Sequence, residues 1–353
     1  GLSKGVEAAN KIFLPLLIVL FLALVVRALF LPGAVEGLNA FFTPNWAALA
    51  DPKVWLAAFA QIFYSLSVGF GIMLTYASYL KPKSNLTGTA LVAGFANSSF
   101  EILAGIGVFG AVGFMAHQQG VAVAKVEGLT GPILSFVTFP QIISMMPGGP
   151  IFGVLFFSSL VLAGVTSLLS LLQVVSGGLQ DKFGWSPARS ALVFGVPATV
   201  ISLALFGTRS GLNNLDIVDN FINSIGVVSS AIMFAVLCAV AGPRLGALRA
   251  HLNSVSSVKV PKVWEPLVGI VIPLVLFIMM AMSVVDLVTK GYEDYPGGYV
   301  MVFGWGAVAI AVIAALIFTF IPWRHRTVDT HATVTQILAD DADAIASTEG
   351  DAQ

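Results

Sequence analysis

The chain has 353 residues, of which 57% are hydrophobic and only 10% are charged, and its formal net charge is −1. A soluble domain carries about 25% charged residues, so this composition excludes an ordinary globular protein and predicts an all-α protein embedded in a membrane. The near-neutral charge gives no basis for nucleic-acid binding. The single cysteine, Cys238, excludes an internal disulfide and a cysteine metal cluster.

Eight segments are apolar and long enough to cross a bilayer, whose core needs about 20 mostly apolar residues per helix. The stretch 128–146 is also apolar, but Pro132 and Pro140 interrupt it, and proline removes a helix hydrogen bond. We therefore predict an extracellular helical hairpin there that dips into the protein without crossing. The predicted spans are 12–31, 55–79, 87–114, 150–177, 188–206, 218–241, 265–287 and 299–322.

The distribution of Lys and Arg tests this choice, because cytoplasmic loops carry an excess of basic residues. If the N-terminus is inside and 128–146 does not cross, twelve Lys and Arg residues lie on the inner side and four on the outer side, with Arg27 inside the first span left out. If that stretch crosses, the counts become six and ten. We therefore predict that both termini are cytoplasmic, with a transmembrane domain over 1–326. Residues 327–353 hold six acidic residues and no Lys or Arg, and we predict a disordered cytoplasmic tail.

The second span has small residues at its centre, where Ser65, Ser67, Gly69 and Gly71 alternate with larger ones. Glycine costs about 1 kcal/mol relative to alanine in a helix interior. Unpaired backbone at mid-membrane is tolerated only where it faces a cavity or other protein. One interpretation is a discontinuous helix whose freed carbonyl groups bind cations. The alternative is a continuous helix whose small residues pack against a neighbouring helix.

Two other spans carry polar side chains away from their ends. Asn97 and Glu101 are four residues apart and so share one helix face, and an ionisable residue inside a span indicates a functional site. Thr166, Ser170 and Gln173 form a polar stripe in the fourth span, which we expect to face inward. Each hydroxyl could instead bond a carbonyl of its own helix. Amide, hydroxyl and carbonyl oxygens are ligands that suit a hard cation such as Na⁺.

One motif is misleading. Residues 105–110 match GxGxxG, but they lie inside a predicted membrane helix with no strand before them. The dinucleotide-binding interpretation therefore fails, and helix packing is the better account. An intramembrane enzyme is disfavoured, because no Ser/His, paired Asp or metal-binding set converges in the sequence.

Several strings of the chain resemble a known family, the neurotransmitter:sodium symporters. Its unwound sixth helix is similar to residues 61–71 (QIFYSLSVGFG) and 76–79 (YASY), most closely in the bacterial amino-acid members typified by the leucine transporter. Residues 162–167 (LAGVTS) look like its eighth helix, and residues 3–7 (SKGVE) look like the start of its fifth. The resemblance implies the C-terminal portion of a leucine-transporter-like fold, without the first four helices, in the cell (inner) membrane.

The same resemblance implies two sodium sites. The first would use Ser65 and Asn97. The second would use the carbonyl of Ala163 with the hydroxyls of Thr166 and Ser167. Sodium would be both the transported and the coupled ion, and no organic cofactor is implied.

The resemblance also implies a substrate site and a gate. Asp219, at the outer end of the family's tenth helix, would be half of an outer gate. The substrate contacts would come from Tyr64, Ser67, Phe70, Ser167 and Leu171.

Glu101 occupies a position that distinguishes members of the family. Chloride-dependent animal members have a serine there, which binds Cl⁻ with neighbours equivalent to Gln61 and Ser65. Chloride-independent bacterial members have a carboxylate that supplies the negative charge. A compensating anion is needed because Na⁺ is buried in a medium of low dielectric constant.

The implied function is therefore chloride-independent, sodium-coupled symport of a neutral, hydrophobic amino acid by alternating access. One rival is a proton-coupled amino-acid or amine symporter of the same superfamily, with Glu101 as the proton carrier. Another is a non-transporting fragment, or a subunit whose partner supplies the remaining helices. The sequence leaves open which amino acid is carried, the ion stoichiometry and whether the protein is a homo-oligomer.

Overall fold

The computed structural model describes residues 2–81, 83–126, 134–145, 147–240 and 244–323. These residues form helices joined by short connections, and no strand occurs among them. The predicted all-α membrane fold is thus confirmed, whereas the predicted tail 327–353 lies outside the described residues. Two compact units divide the chain. Unit 1 contains the described residues of Gly1–Ile62, Phe95–Val175 and Ala191–Asp216, and unit 2 contains those of Phe63–Gly94, Ser176–Ser190 and Ile217–Gln353.

Seven of the described helices are long and apolar enough to cross a membrane. The remaining predicted span is the broken one, which consists of α3 and α4. Three of the long helices contain a π-helical turn: α9 at Ile222–Val227, α11 at Leu267–Val271 and α12 at Met301–Trp305. In chain order the helices are α1 Leu2–Leu29, α2 Ala34–Phe42, α3 Pro52–Ser65, α4 Ile72–Ala77, α5 Leu86–Gln119, α6 Phe139–Met145, α7 Gly149–Phe183, α8 Pro187–Phe206, α9 Gly211–Val240, α10 Arg244–Val255, α11 Trp264–Thr289 and α12 Gly297–Phe320.

The break predicted in the second span is present. Helix α3 ends at Ser65, residues Leu66–Gly71 are not helical, and α4 begins at Ile72. We call Leu66–Gly71 the unwound segment. The continuous-helix alternative is therefore wrong, because glycine and serine at this centre allow backbone conformations that end a helix.

The predicted hairpin is only partly described, since residues 127–133 and 146 lie outside the described residues. A π-helical turn over Leu134–Thr138 leads into α6. Within unit 1, Ile142 of α6 is fully buried, and the ring of Phe139 stacks on that of Phe156 in α7 with 5.0 Å between centroids. The described residues of this segment pack into the hydrophobic core of unit 1, and the expectation that 128–146 does not cross the membrane stays a prediction.

Glycines of α5 allow other helices of unit 1 to approach closely. A side chain at Gly107 would meet Val25 of α1, and one at Gly105 would meet the ring of Phe41 in α2. The residues 105–110 therefore serve helix packing, as the sequence indicates, because small residues let membrane helices come into backbone contact.

The N-terminus of α5 is capped by a distant loop of unit 2. The Asn85 side-chain oxygen accepts hydrogen bonds from the backbone N–H groups of Gly88, at 2.9 Å, and Ser257, at 3.3 Å. The Asn85 side chain also donates to the Ser257 hydroxyl, and the Ser256 hydroxyl accepts from the Thr87 N–H. The first N–H groups of a helix have no partner within it, so this loop satisfies donors that would otherwise be orphaned.

The N-terminal half of α9 is held by an aromatic cluster of unit 2. Phe221 is fully buried and meets the rings of Tyr292 and Trp305 edge-on, with centroids 6.2 Å and 5.2 Å away. Gly304 of α12 makes room for the Phe221 ring, since a Cβ there would lie 2.7 Å from it. These contacts fix the rotation of α9 about its axis, and α9 carries Asp219.

The close approach at Gly113 of α5 yields a stability prediction. A Cβ at this position would lie 2.7 Å from the Gly37 backbone nitrogen and closer still to the Gly33 carbonyl oxygen. Backbone atoms cannot rotate away as a flexible side chain can, so we expect Gly113→Ala to destabilise the protein by about 1–3 kcal/mol. Thermal unfolding in detergent measures this change. Gly94→Ala, in the same helix with nothing within 4 Å of the added Cβ, is the matched control. Equal melting temperatures for the two variants would contradict the packing argument.

Candidate ion and substrate site

Helix α3 ends in a Schellman motif built on a serine. The Ser67 N–H donates to the Tyr64 carbonyl at 2.9 Å, and the Val68 N–H donates to the Phe63 carbonyl at 3.1 Å. This pair of bonds satisfies two carbonyls at the helix end. The residue that must adopt the left-handed conformation is Ser67, with φ 53°. Glycine is usual at this place, so the side chain of Ser67 is retained against the local backbone preference.

The left-handed backbone conformation of Ser67 is unfavourable for a serine, which indicates a role for its hydroxyl. The left-handed conformation costs an L-residue about 1–2 kcal/mol, and such strain concentrates at functional sites. Gly69, φ 87°, and Gly71, φ 78°, adopt the same conformation without that penalty. The Ser67 hydroxyl is half-buried and makes no hydrogen bond within the described part of the chain. It is therefore available to a ligand.

Three carbonyl groups of the unwound segment are free of backbone partners. Among the described residues, no backbone N–H donates to the carbonyl oxygens of Leu66, Val68 or Phe70. Such groups are expensive in an apolar medium and are tolerated where they face a cavity or an ion. Carbonyl oxygens are hard ligands, so this segment offers the kind of ligand that Na⁺ prefers.

Two aromatic side chains meet at the unwound segment within unit 2, Tyr64 before it and Phe70 within it. The ring of Tyr64 meets that of Phe70 edge-on, with 6.1 Å between centroids and 72° between ring planes. Both are among the residues predicted to contact substrate, and the structure brings them together. Aromatic faces of this kind present an apolar surface beside the polar backbone of the segment.

In unit 1, the side chains of Gln61 and Asn97 converge on Glu101. The Gln61 amide donates to Glu101 Oε1 at 3.5 Å, and the Asn97 amide donates to the same oxygen at 3.4 Å. The shared face predicted for Asn97 and Glu101 is confirmed. Both bonds are long, which is typical of loose contacts, and the carboxyl of Glu101 is half-buried. This triad joins residues predicted to bind or balance cations.

In the polar stripe of α7, two hydroxyl groups bond carbonyl groups of their own helix, which is the alternative that the sequence left open. The Thr166 hydroxyl donates to the Ala163 carbonyl at 2.9 Å, and the Ser170 hydroxyl donates to the Thr166 carbonyl at 3.1 Å. Both hydroxyls are thus bonded to their own helix. Gln173 is 4% exposed, so the predicted inward direction holds at that end of the stripe. Ser167 and Leu171, next to Thr166 and Ser170 in the chain, are exposed.

Asp219 lies in the N-terminal half of α9 and is exposed. Its carboxylate accepts a hydrogen bond of 2.9 Å from the Asn223 amide, one turn later in the same helix. Unit 2 therefore holds five of the predicted residues, namely Tyr64, Ser65, Ser67, Phe70 and Asp219. Unit 1 holds the others, namely Gln61, Asn97, Glu101, Ala163, Thr166, Ser167 and Leu171.

The sequence reasoning missed Ser230, a residue of α9 in unit 2. Its hydroxyl donates to the carbonyl oxygen of Gly69, in the unwound segment, at 2.8 Å. A serine in an apolar helix is a weak signal, because its hydroxyl usually bonds a carbonyl of its own helix. Only the fold reveals that this serine reaches another element.

The chain is similar to proteins named as sodium-dependent or as sodium- and chloride-dependent transporters. An uncharacterized sodium-dependent transporter of the archaeon Methanocaldococcus jannaschii is 38% identical over 322 residues, which are 90% of this chain and 64% of that protein. A sodium- and chloride-dependent glycine transporter 2 of Xenopus laevis is 29% identical over 328 residues, or 89% of this chain and 40% of the relative. A sodium-dependent serotonin transporter of Drosophila melanogaster is 34% identical over 249 residues, which are 69% of this chain and 39% of the relative.

This chain thus spans less than two thirds of the length of each of these relatives. The family model described as "Sodium:neurotransmitter symporter family" matches residues 1–326. Together with the broken helix and the seven apolar spans, this match shows that the chain belongs to the sodium:neurotransmitter symporter family, a family of transporters and not of enzymes.

Proposed function

We propose that the protein is a sodium-coupled symporter that carries a neutral, hydrophobic amino acid by alternating access and does not require chloride. The observation that carries this proposal is the unwound segment Leu66–Gly71, whose carbonyl groups at Leu66, Val68 and Phe70 have no backbone partner among the described residues. Oxygen ligands of this kind can replace the hydration shell of Na⁺. The names of the relatives as sodium-dependent transporters support the choice of ion.

The first sodium ion would bind to Ser65 and Asn97, and the second to the Ala163 carbonyl with the Thr166 and Ser167 hydroxyls. The C-terminal end of α3 carries partial negative charge from its peptide dipoles and therefore favours a cation near Ser65. In α7, the Ala163 and Thr166 oxygens are 2.9 Å apart, so an ion could contact both once the Thr166 proton turns away. Sodium binding would favour one conformation of the transporter through its higher affinity for that conformation.

The substrate would lie beside the unwound segment. Tyr64 and Phe70 supply an apolar surface for its side chain, and the Ser67 hydroxyl would bond one of its polar groups. Ser167 and Leu171 of α7 would complete the contacts, and Asp219 would belong to the outer gate. The pairing of aromatic rings with a polar backbone suits a small zwitterion that carries a hydrophobic side chain.

We place the protein in the cell membrane with both termini in the cytoplasm. The twelve-to-four distribution of basic residues supports this orientation.

Uptake into proteoliposomes at fixed pH tests the coupling ion. An inward Na⁺ gradient should drive accumulation of a hydrophobic amino acid, whereas a K⁺ gradient of equal size should not. A mixture of radiolabelled neutral amino acids detects uptake, and unlabelled amino acids added one at a time identify the substrate by competition. Accumulation driven by a proton gradient without Na⁺ would favour the proton-coupled rival, with Glu101 as carrier. No accumulation under either gradient would favour a non-transporting chain.

Glu101 provides a test of chloride independence. Its carboxylate would balance the charge of buried Na⁺, a role that chloride could take over if the carboxylate were removed. We expect uptake by Glu101→Ser to depend on chloride, while uptake by the wild type proceeds equally in gluconate. Glu36→Ser, at an exposed position of α2, is the control and should remain indifferent to chloride. A Glu101→Ser variant that ignores chloride would refute the role of Glu101.

Ser67 provides a test that separates substrate binding from backbone strain. Ser67→Ala removes the hydroxyl and keeps a strained left-handed residue, whereas Ser67→Gly removes the hydroxyl and relieves the strain. If the hydroxyl contacts substrate, both variants should raise the substrate KM by about two- to tenfold. Only Ser67→Gly should also raise the melting temperature, because relief of the strain should increase the free energy of unfolding by about 1 kcal/mol. A Ser67→Gly transporter with unchanged KM would show that the hydroxyl has no part in binding.

A further inference from the structure

Within unit 2, one hydroxyl group connects the unwound segment to α9. Ser230 Oγ lies 2.8 Å from the carbonyl oxygen of Gly69 and 2.8 Å from that of Val227, in its own helix. Ser230 lies three residues after the π-helical turn of α9 at Ile222–Val227. Such turns interrupt the regular register of a helix and are frequent at functional sites.

The backbone of the unwound segment lies directly on α9 at this point. A Cβ at Gly69 would be 2.9 Å from the Val227 carbonyl oxygen and 3.0 Å from the Ala231 Cβ. Gly69 is also in the left-handed conformation, with φ 87°. Glycine thus allows both the close approach and the backbone direction that aims its carbonyl at the Ser230 hydroxyl.

The two acceptors of Ser230 make this connection easy to release. A hydroxyl has one proton, which can be donated fully to only one of two oxygens at equal distance. If the unwound segment moves away from α9, the proton stays bonded to the Val227 carbonyl, so no buried donor is left without a partner. The bond to Gly69 can therefore orient the segment without resisting its movement strongly.

We infer that Ser230 is a positioning residue that orients the unwound segment by holding the Gly69 carbonyl against α9. Gly69 lies between Val68 and Phe70, whose carbonyl groups have no backbone partner among the described residues. Because successive peptide planes are linked through a single Cα, fixing the Gly69 carbonyl restricts the directions of its two neighbours. The inference rests on the proposed function in that those neighbours would serve ion and substrate binding.

Hydrogen–deuterium exchange of the protein in lipid nanodiscs tests the contact without any transport measurement. Ser230→Ala should increase exchange of the amides of residues 66–71 by about two- to tenfold, the equivalent of one net hydrogen bond. Exchange in α12 should be unchanged. Ser230→Thr keeps a hydroxyl and should restore the wild-type rate. Ser229→Ala is the matched control, because the neighbouring Ser229 hydroxyl contacts the Met280 sulfur instead.

Transport by the same variants tests the functional consequence. Ser230→Ala should raise the Na⁺ concentration for half-maximal uptake by about two- to tenfold, with Ser230→Thr near the wild type. The inference is overturned if Ser230→Ala exchanges like Ser229→Ala, if the increase extends equally to α12, or if its Na⁺ dependence is that of the wild type. If the wild-type protein shows no Na⁺-dependent uptake, the proposed function fails, and the exchange comparison alone decides whether Ser230 positions the segment.

Discussion

Backbone hydrogen bonding in an apolar medium is the constraint on which the structure depends. Within lipid, a peptide group without a partner costs several kcal/mol, so a spanning segment is helical unless something else satisfies its backbone. The unwound segment Leu66–Gly71 departs from this rule. A Schellman motif closes the end of α3, and Ser230 satisfies the Gly69 carbonyl. The carbonyl oxygens of Leu66, Val68 and Phe70 remain without a backbone partner among the described residues, and we propose them as ligands for a cation.

Two polar side chains, Thr166 in unit 1 and Ser230 in unit 2, share one property, which is that each has a partner within its own helix. Thr166 bonds the Ala163 carbonyl, and Ser230 bonds the Val227 carbonyl. Such hydroxyls are satisfied without a ligand and can turn to one without leaving a buried group unpaired. A transporter that alternates between loaded and empty states needs this property, because strong fixed bonds would favour one state too heavily.

Small residues serve two different purposes in this chain. Gly113 of α5 has an ordinary helical conformation, and its missing side chain allows the backbone at Gly33 and Gly37 to approach. Gly69 combines close contact with a left-handed backbone. Ser67 has the same backbone conformation but keeps a side chain, and the conflict between conformation and residue type marks it as a candidate for ligand contact.

The sequence by itself determined the long apolar spans and the resemblance to the family, because apolar runs and long specific strings are local properties. It offered the break in the second span as one of two interpretations, and the structure decided between them. The sequence did not predict α10, since hydropathy detects only helices buried in lipid. The tertiary structure alone decided which hydroxyls bond their own helix, that Ser230 reaches Gly69, and that Asn85 bonds Ser257, 172 residues away. These contacts depend on packing between segments that are distant in the chain, and no periodicity or composition of either segment specifies its partner.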